Sequence, residues 1–343
     1  MNLNKLVVAL GAASLLSGSV LAEQLHINVI AKGVQHQYWK AVEQGTQKAA
    51  QDLNVVVTFQ GPDNESNIKK QVEYFNSAID SKPDAICLAA LDTKAMLDSI
   101  KRAQDAKIPL IGFDSGVPDA PAGAIKATAS TDNFAAGSLA ANNLFKIIKN
   151  KILAATPDKP VRIGVVAQDA NSNSIVLRTK GFVDSIVNLV GSDKVSIVGH
   201  SSFSATQDGA SVIVDVGIPD SVKELESLDV ATAILEKPDL IAIYGSNEFA
   251  TNSIIQANAA IKSLGPKGVI AVGFDAGSHI LEAMDVGLLA GAVTQNPVQI
   301  GYQAVSLAVD AVKGKEVKDV DTGALWYNMD NMEDPEISVC LYE

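Results

Sequence analysis

Two carboxylates carry the most information in this chain, because each closes the same phrase. Gly112-Phe113-Asp114-Ser115-Gly116 recurs as Gly273-Phe274-Asp275-Ala276-Gly277. An upstream phrase is echoed with it: Lys82-Pro83-Asp84-Ala85-Ile86 returns as Lys237-Pro238-Asp239-Leu240-Ile241. The interval between phrases is 30 residues in the first half (82 to 112) and 36 in the second (237 to 273). An apolar run leads into each Gly-Phe-Asp, so each carboxylate stands one residue past a strand. Ligands of open parallel sheets bind beyond the carboxyl ends of the strands. A charged carboxylate there accepts hydrogen bonds from hydroxyls worth roughly 1.5–3 kcal/mol each. One such Asp could equally be a helix cap or a turn residue. Its duplication points to two facing copies of one module, with Asp114 and Asp275 in a shared cleft. An enzyme could use the same pair as acid and base.

Other candidates follow strand patterns. His36-Gln37-Tyr38-Trp39 opens the first helical segment. Its rings can be core, since Tyr38 and Val42 are one turn apart, or can present flat faces to a sugar ring, adding roughly 0.5–1.5 kcal/mol beyond area. Arg178 sits on a helical pattern and is either a solvated face or a ligand contact. Asn247-Glu248 could be an N-cap, and Gln295 reads as a strand end or a ligand-orienting amide. The chain has no Gly-x-Ser-x-Gly elbow, no metal-spaced histidines and no glycine-rich nucleotide loop. His26, His36, His200 and His279 are scattered. Cys87 lies in an apolar strand and Cys340 near the end, which favours two separate buried thiols over a bridge.

Elements must position these groups. Candidate strands are Leu25–Ala31, Asn54–Phe59, Asp84–Ala90, Pro109–Phe113 and Ala124–Ala129, then Val161–Ala167, Val195–Val198, Asp239–Tyr244, Val269–Phe274 and Leu289–Val293. Most are apolar on both faces, the mark of parallel strands covered on both sides. Between them, Ile68, Val72, Phe75 and Ile79 repeat with a helical period, as do Met96, Ile100 and Ala103. Ser66, Asp92 and Asp132 are candidate N-caps. The alternation predicts an α/β fold of βαβ units with right-handed crossovers, arranged as two Rossmann-like lobes. Pro157-Asp158-Lys159-Pro160 ends the helix predicted over Asn133–Lys149, and a last strand is expected at Ile337–Leu341.

The ends and the charge bound the setting. Lys5, the apolar run Leu6–Leu16 and Val20-Leu21-Ala22 read as an export signal cleaved after Ala22. The run is too short for a permanent membrane span. The whole chain carries a formal charge of −12, and without Lys5 it carries −13 (−12 − 1). Such acidity argues against nucleic acid and anionic membranes as partners.

These residues resemble the type 1 periplasmic sugar-binding proteins, close to the ribose-binding branch. The anchors are Tyr38-Trp39 with Gly45 and Lys48, Ile108-Pro109 leading to Phe113-Asp114, and Arg178-Thr179-Lys180-Gly181-Phe182. Asn247-Glu248, Gly273-Phe274-Asp275 and Gln295 before Gln299-Ile300-Gly301 complete them. The resemblance implies a signal peptide over 1–22, an N-terminal lobe over 23–131 plus 296–322 and a C-terminal lobe over 132–295 plus 323–343. A three-segment hinge would join the lobes near Ser130–Asp132, Gln295–Pro297 and Asp321–Tyr327. It implies a monomeric, periplasmic, non-enzymatic protein without a cofactor that delivers a sugar or polyol to an ABC-type permease. A sensory version would feed a chemoreceptor instead, and a sugar-responsive repressor would begin with a basic helix-turn-helix. Stacking aromatics fall on Tyr38, Trp39 and Phe203, and polar contacts on His36, Asp114, Arg178, Asn247, Asp275 and Gln295. Several positions depart from the ribose pattern. His36-Gln37 replaces Asn-Pro, and Ser115 replaces a sugar-binding arginine. Lys32 matches a lysine of the branch that binds the furanosyl autoinducer-2. An extra stretch, about 207–227, follows Phe203, with Gly217-Ile218-Pro219-Asp220 as a turn.

Overall fold

The computed structural model describes residues 24–342, so the export signal expected over 1–22 lies outside the described residues. The first series runs β1 (His26–Ile30), α1 (Gln37–Leu53), β2 (Val56–Gln60), α2 (Ile68–Asp80), β3 (Ala85–Leu88), α3 (Leu97–Asp105), β4 (Leu110–Phe113) and β5 (Ile125–Ser130). The second runs α4 (Asn133–Leu153), β6 (Val161–Val166), α5 (Asn173–Val190), β7 (Val195–Gly199), β8 (Val212–Gly217), α6 (Glu224–Leu235), β9 (Leu240–Gly245), α7 (Glu248–Ile261), β10 (Ile270–Phe274), α8 (Ser278–Asp285) and β11 (Leu289–Gln295). The remainder is α9 (Pro297–Val312), β12 (Val320–Asp321), β13 (Ala324–Tyr327) and α10 (Pro335–Ser338).

Two sheets result. The first has six strands in the order β12-β5-β4-β3-β1-β2, and the second has seven in the order β13-β11-β10-β9-β6-β8-β7. All pairings are parallel except β13 against β11. The chain passes between sheets after β5, after β11 and between β12 and β13. The central strands are apolar on both faces because each sheet is covered twice. In β1, Ile27 and Val29 face a core shared with Ile300 and Val305 of α9, while Ile30 faces Phe75, Ile79 and Ile100. In β6, Ile163 and Val165 join one core with Phe182 and Ile186, while Val166 joins Ile234 and Ile254.

The pair of helices nearest the crossings packs the same way in both lobes. A Cβ at Gly45 would sit 2.0 Å from the Val298 carbonyl oxygen, and one at Gly301 2.1 Å from that of Val42. In the other lobe a Cβ at Gly181 would sit 2.1 Å from the Phe134 oxygen, and one at Gly137 2.1 Å from that of Arg178. Backbone rests on backbone at both places, so no rotamer change can make room.

Two expectations are corrected. The extra stretch 207–227, where no strand was expected, contains β8, which lies beside β6 as β2 lies beside β1. The additional strand is β7, at the edge. No helix joins β7 to β8. Instead Ala205 bridges antiparallel to Ile197, so the chain folds back along the free edge of β7 before entering β8. The strand expected at Ile337–Leu341 is replaced by the short helix α10, because Pro335 fixes a first helical turn after Asp334. Cys87 and Cys340 are both free and buried.

Replacing Gly45 or Gly181 with Ala should each lower stability by about 1–3 kcal/mol through overpacking, against the helical gain of about 1 kcal/mol that Ala brings elsewhere. Urea unfolding measures this; an unchanged or raised midpoint would refute the close approach.

Candidate functional site

The repeated Gly-Phe-Asp folds the same way twice. Asp114 and Asp275 both adopt the left-handed conformation, at φ 55° and 72°. That region is sparsely used by non-glycine residues, is tolerated best by Asp and Asn, and clusters at functional sites. The preceding glycines sit where the ladder shifts register, between Leu110 and Gly112 in one copy and Ala271 and Gly273 in the other. A Cβ on Gly112 would lie 2.6 Å from Thr128 Oγ1, and one on Gly273 2.7 Å from Thr251 Cγ2. The Asp114 N–H then donates to Ala129 O at 3.0 Å and the Asp275 N–H to Val293 O at 2.7 Å. With the backbone held to the neighbouring strand, each carboxylate is released into the space between the lobes.

Each aspartate meets one cation. Lys32, just past β1, places Nζ 3.3 Å from Asp114 Oδ2 and 3.6 Å from Glu65 Oε2. Burial disfavours its charge, but Asp114 and Glu65 outweigh that and hold its proton affinity above the ordinary lysine range. Tyr38 Oη donates to Asp114 Oδ1 at 2.6 Å, and Trp39 Nε1 to Glu65 Oε1 at 2.7 Å. In the second lobe Arg178 Nη1 stands 3.6 Å from Asp275 Oδ2, with its guanidinium 4.0 Å from the centre of the Phe274 ring. Arg178 Nε donates to Asn133 Oδ1 at 2.7 Å, which fixes the fork. Gln295 Nε2 donates to Asp275 Oδ1 at 2.7 Å and the Glu248 backbone N–H to Oδ2 at 3.2 Å. Burial nevertheless pushes the Asp275 carboxyl above the usual range. Glu248 is pushed up to about 8 by burial and by Asp275.

Polar contacts also cross between lobes. Gln168 Nε2 donates to Glu65 Oε2 at 2.9 Å, and within its own lobe Gln168 is held by Asn247 Nδ2, which donates to its Oε1 at 2.7 Å. Lys32 Nζ reaches the hydroxyls of Ser172 and Ser174 at 3.4 Å each. The Ser278 N–H donates to Gln37 Oε1 at 3.2 Å.

These groups enclose a cavity. From the first lobe come Lys32, His36, Tyr38, Trp39, Glu65 and Asp114; from the second come Ile175, Arg178, Asn247, Glu248, Phe249 and Asp275, with Gln295 at the end of β11. About 310 Å³ of atom-free space lies among them, part of it open to solvent, and most of the lining residues are buried. The side chains are thus drawn close together, and a monosaccharide could enter only as the lobes part. A roomier surface groove, lined by Gln24, His26 and Asp84, lies at the opposite strand ends. Ligands of parallel sheets do not bind there.

A model of the periplasmic binding protein domain matches residues 27–316. The chain belongs to the periplasmic binding protein family. Among solved structures of this family, one described as an ABC transporter, LacI family transcriptional regulator from Brachyspira murdochii is 37% identical, with TM-score 0.80 over 93% of this chain and 99% of that one. A carbohydrate transporter solute binding protein from Agrobacterium radiobacter, in complex with D-arabinose, is 28% identical, with TM-score 0.78 over 93% and 99%. The D-allose-binding periplasmic protein of Escherichia coli K12 is 24% identical over 85% of this chain and 86% of its own. The two parallel-sheet lobes are those of a type 1 periplasmic binding protein. Its relatives are binding proteins, and no described helix is long and apolar enough to cross a membrane.

Within this periplasmic binding protein, nine expected residues line one cavity: Lys32, His36, Tyr38, Trp39, Asp114, Arg178, Asn247, Asp275 and Gln295. Two do not. Ser115 is buried at the lobe junction, with Oγ 3.3 Å from Ser172 Oγ. Phe203 lies in the loop after β7, tilted against His200 and packed on the second lobe's core. An extra edge strand displaced it: the loop after β8, not β7, follows the strand next to β6. Glu65, Gln168 and Phe249 were missed. Gln168 was findable, because it follows β6 as Lys32 follows β1, two residues past the strand. Phe249 brings its ring to 6.2 Å from His36 across the cleft and takes the aromatic place assigned to Phe203.

Phe203→Ala should therefore change ligand affinity less than twofold, whereas Phe249→Ala should weaken it at least fivefold. Titration calorimetry on both variants decides; the reverse ranking would restore Phe203 to the site.

Proposed function

We propose that this protein captures a small sugar or polyol between its lobes and hands it to an ABC-type permease. The observation that carries this reading is the convergence of Asp114 and Asp275 with the rings of Tyr38, Trp39 and Phe249 on one cavity. Carboxylates accept from hydroxyls, aromatic faces cover the apolar side of a sugar ring, and Arg178, Asn247 and Gln295 supply fixed donors. D-arabinose and D-fucose in two relatives of 28% identity support a sugar ligand. Lys32 and His36 complete the polar rim on the first lobe.

The lobes are 23–131 with 296–322 and 132–295 with 323–343, and closure turns about the three crossings. Its polar locks across the cleft are single hydrogen bonds, so a bound ligand can shift the open–closed balance. The protein acts in the periplasm as a monomer after cleavage following Ala22, without catalysis. Micromolar affinity corresponds to about 8 kcal/mol, within reach of a few charged hydrogen bonds and a ring stack after binding costs.

A thermal-shift screen of pentoses, hexoses and polyols tests the reading. Ligand at 100 times Kd should add about 2.7 kcal/mol of stability. Asp275→Ala should weaken binding of the responding compound more than tenfold while the unliganded melting curve stays cooperative. Wild-type affinity in that variant would remove Asp275 from the site, and no response to any of the compounds would count against the sugar.

A further inference from the structure

Charge is not balanced around the cavity. Lys32 serves Asp114 and Glu65, and Arg178 serves Asp275. Glu248 lines the same cavity, yet no ion pair to it occurs among the described residues. The residue is 8% exposed, and its Oε2 is buried without a hydrogen-bond partner. Two other buried atoms of the lining make no hydrogen bond, Gln295 Oε1 and Asp114 Oδ2, the latter having only the Lys32 ammonium at 3.3 Å. All three are acceptors. The cavity therefore calls for donors, and at Glu248 for a positive one. Phe249 follows Glu248 directly and turns its ring to the same space, and an aromatic face also favours a cation.

We propose that the ligand is a sugar or polyol bearing a protonated amine, an amino sugar in chemical class, with its ammonium seated against Glu248 on the side facing Asp275. The inference rests on the sugar reading of this site and sharpens it. The Glu248 backbone N–H donates to Asp275 Oδ2, and two buried carboxylates on one cavity cannot both stay ionised cheaply, so one takes up a proton. Burial and Asp275 act on Glu248 in that direction. An ammonium between them removes the repulsion and makes charge-assisted hydrogen bonds, which are about twice as strong as neutral ones. A neutral polyol would leave Glu248 protonated, and an amide could replace the acid without loss. The two ligand classes thus respond oppositely to Glu248→Gln.

Calorimetry at neutral pH with matched sets tests this: each neutral pentose or hexose, its 2-, 3- and 6-amino-deoxy forms, and their N-acetyl derivatives. At least one amino form should bind ten times more tightly than its neutral parent and its N-acetyl derivative, and Glu248→Gln should remove at least tenfold of that preference. Neutral parents that bind as tightly as every amine would overturn the ammonium and leave the sugar reading standing. An amine preference that survives Glu248→Gln would overturn its placement. Binding by no member of any set would overturn both readings.

Discussion

A carboxylate taken out of water has to be given a partner, and this cleft gathers four of them on one cavity. Removing one member of a buried pair costs about 3–5 kcal/mol, because it strands the other, while well-packed apolar residues in place of both are often neutral or better. Such an arrangement is poor value for stability and is explained by what it can hold. The partners are drawn from separate elements: Lys32 from the end of β1, Arg178 from α5, Gln295 from the end of β11. Some are drawn from the opposite lobe, as Gln168 is by Glu65. The ion pairs are thus made within each lobe, and closure adds the Gln168 amide to Glu65. The contacts across the gap are few, and a net hydrogen bond is worth roughly 0.5–1.5 kcal/mol. A closed form held by so little remains responsive to a ligand, which shifts a two-state balance only by its differential affinity.

The frame that makes this possible is a duplicated one. Each lobe needs a glycine where the ladder shifts register, a buried Phe beneath and an Asp turned left-handed above. Each also needs two helices brought to backbone contact by paired glycines, Gly45 with Gly301 and Gly137 with Gly181. Those helix pairs lie under the crossings. Side chains there would push the helices apart and move the strands whose ends carry Asp114 and Asp275. Precision at the cavity thus depends on the absence of side chains well behind it.

Much of the fold was legible because parallel strands buried on both faces leave continuous apolar runs, and ten of the eleven expected strands formed. The lapse at β8 has a physical cause. Val212, Val214 and Val216 alternate inward, as a strand should, but Asp215 interrupts the run. In the structure Asp215 is held by Arg162 Nη1 at 2.7 Å, a neutralisation across two strands that local sequence does not display. Misjudging that strand misplaced Phe203, since the cleft-facing loop moved from β7 to β8. The tail failed for a different reason: its apolar residues read equally well as one short strand or as a turn of helix, and Pro335 decided for the helix. Site residues past strand ends were readable from position alone. Glu65 was not, because its role rests on Lys32, Trp39 and Gln168 arriving from elsewhere.

Duplication explains the frame and divergence explains selectivity. Two residues past β1 stands Lys32, and two past β6 stands Gln168; both address Glu65 Oε2, at 3.6 and 2.9 Å. One position carries a cation and the other an amide, so a single carboxylate is shared between lobes without two ammonium groups crowding one oxygen. After the aspartates, Ser115 differs from Ala276: the hydroxyl reaches Ser172 across the junction, while the methyl is buried in a core with Ile280. Arg178 and Glu248 have no counterpart by repeated phrase. The repeated residues bring two carboxylates to one place. The unrepeated ones set which polar groups remain unanswered there, and an unanswered buried polar group selects strongly, because a ligand lacking the complement leaves it stranded.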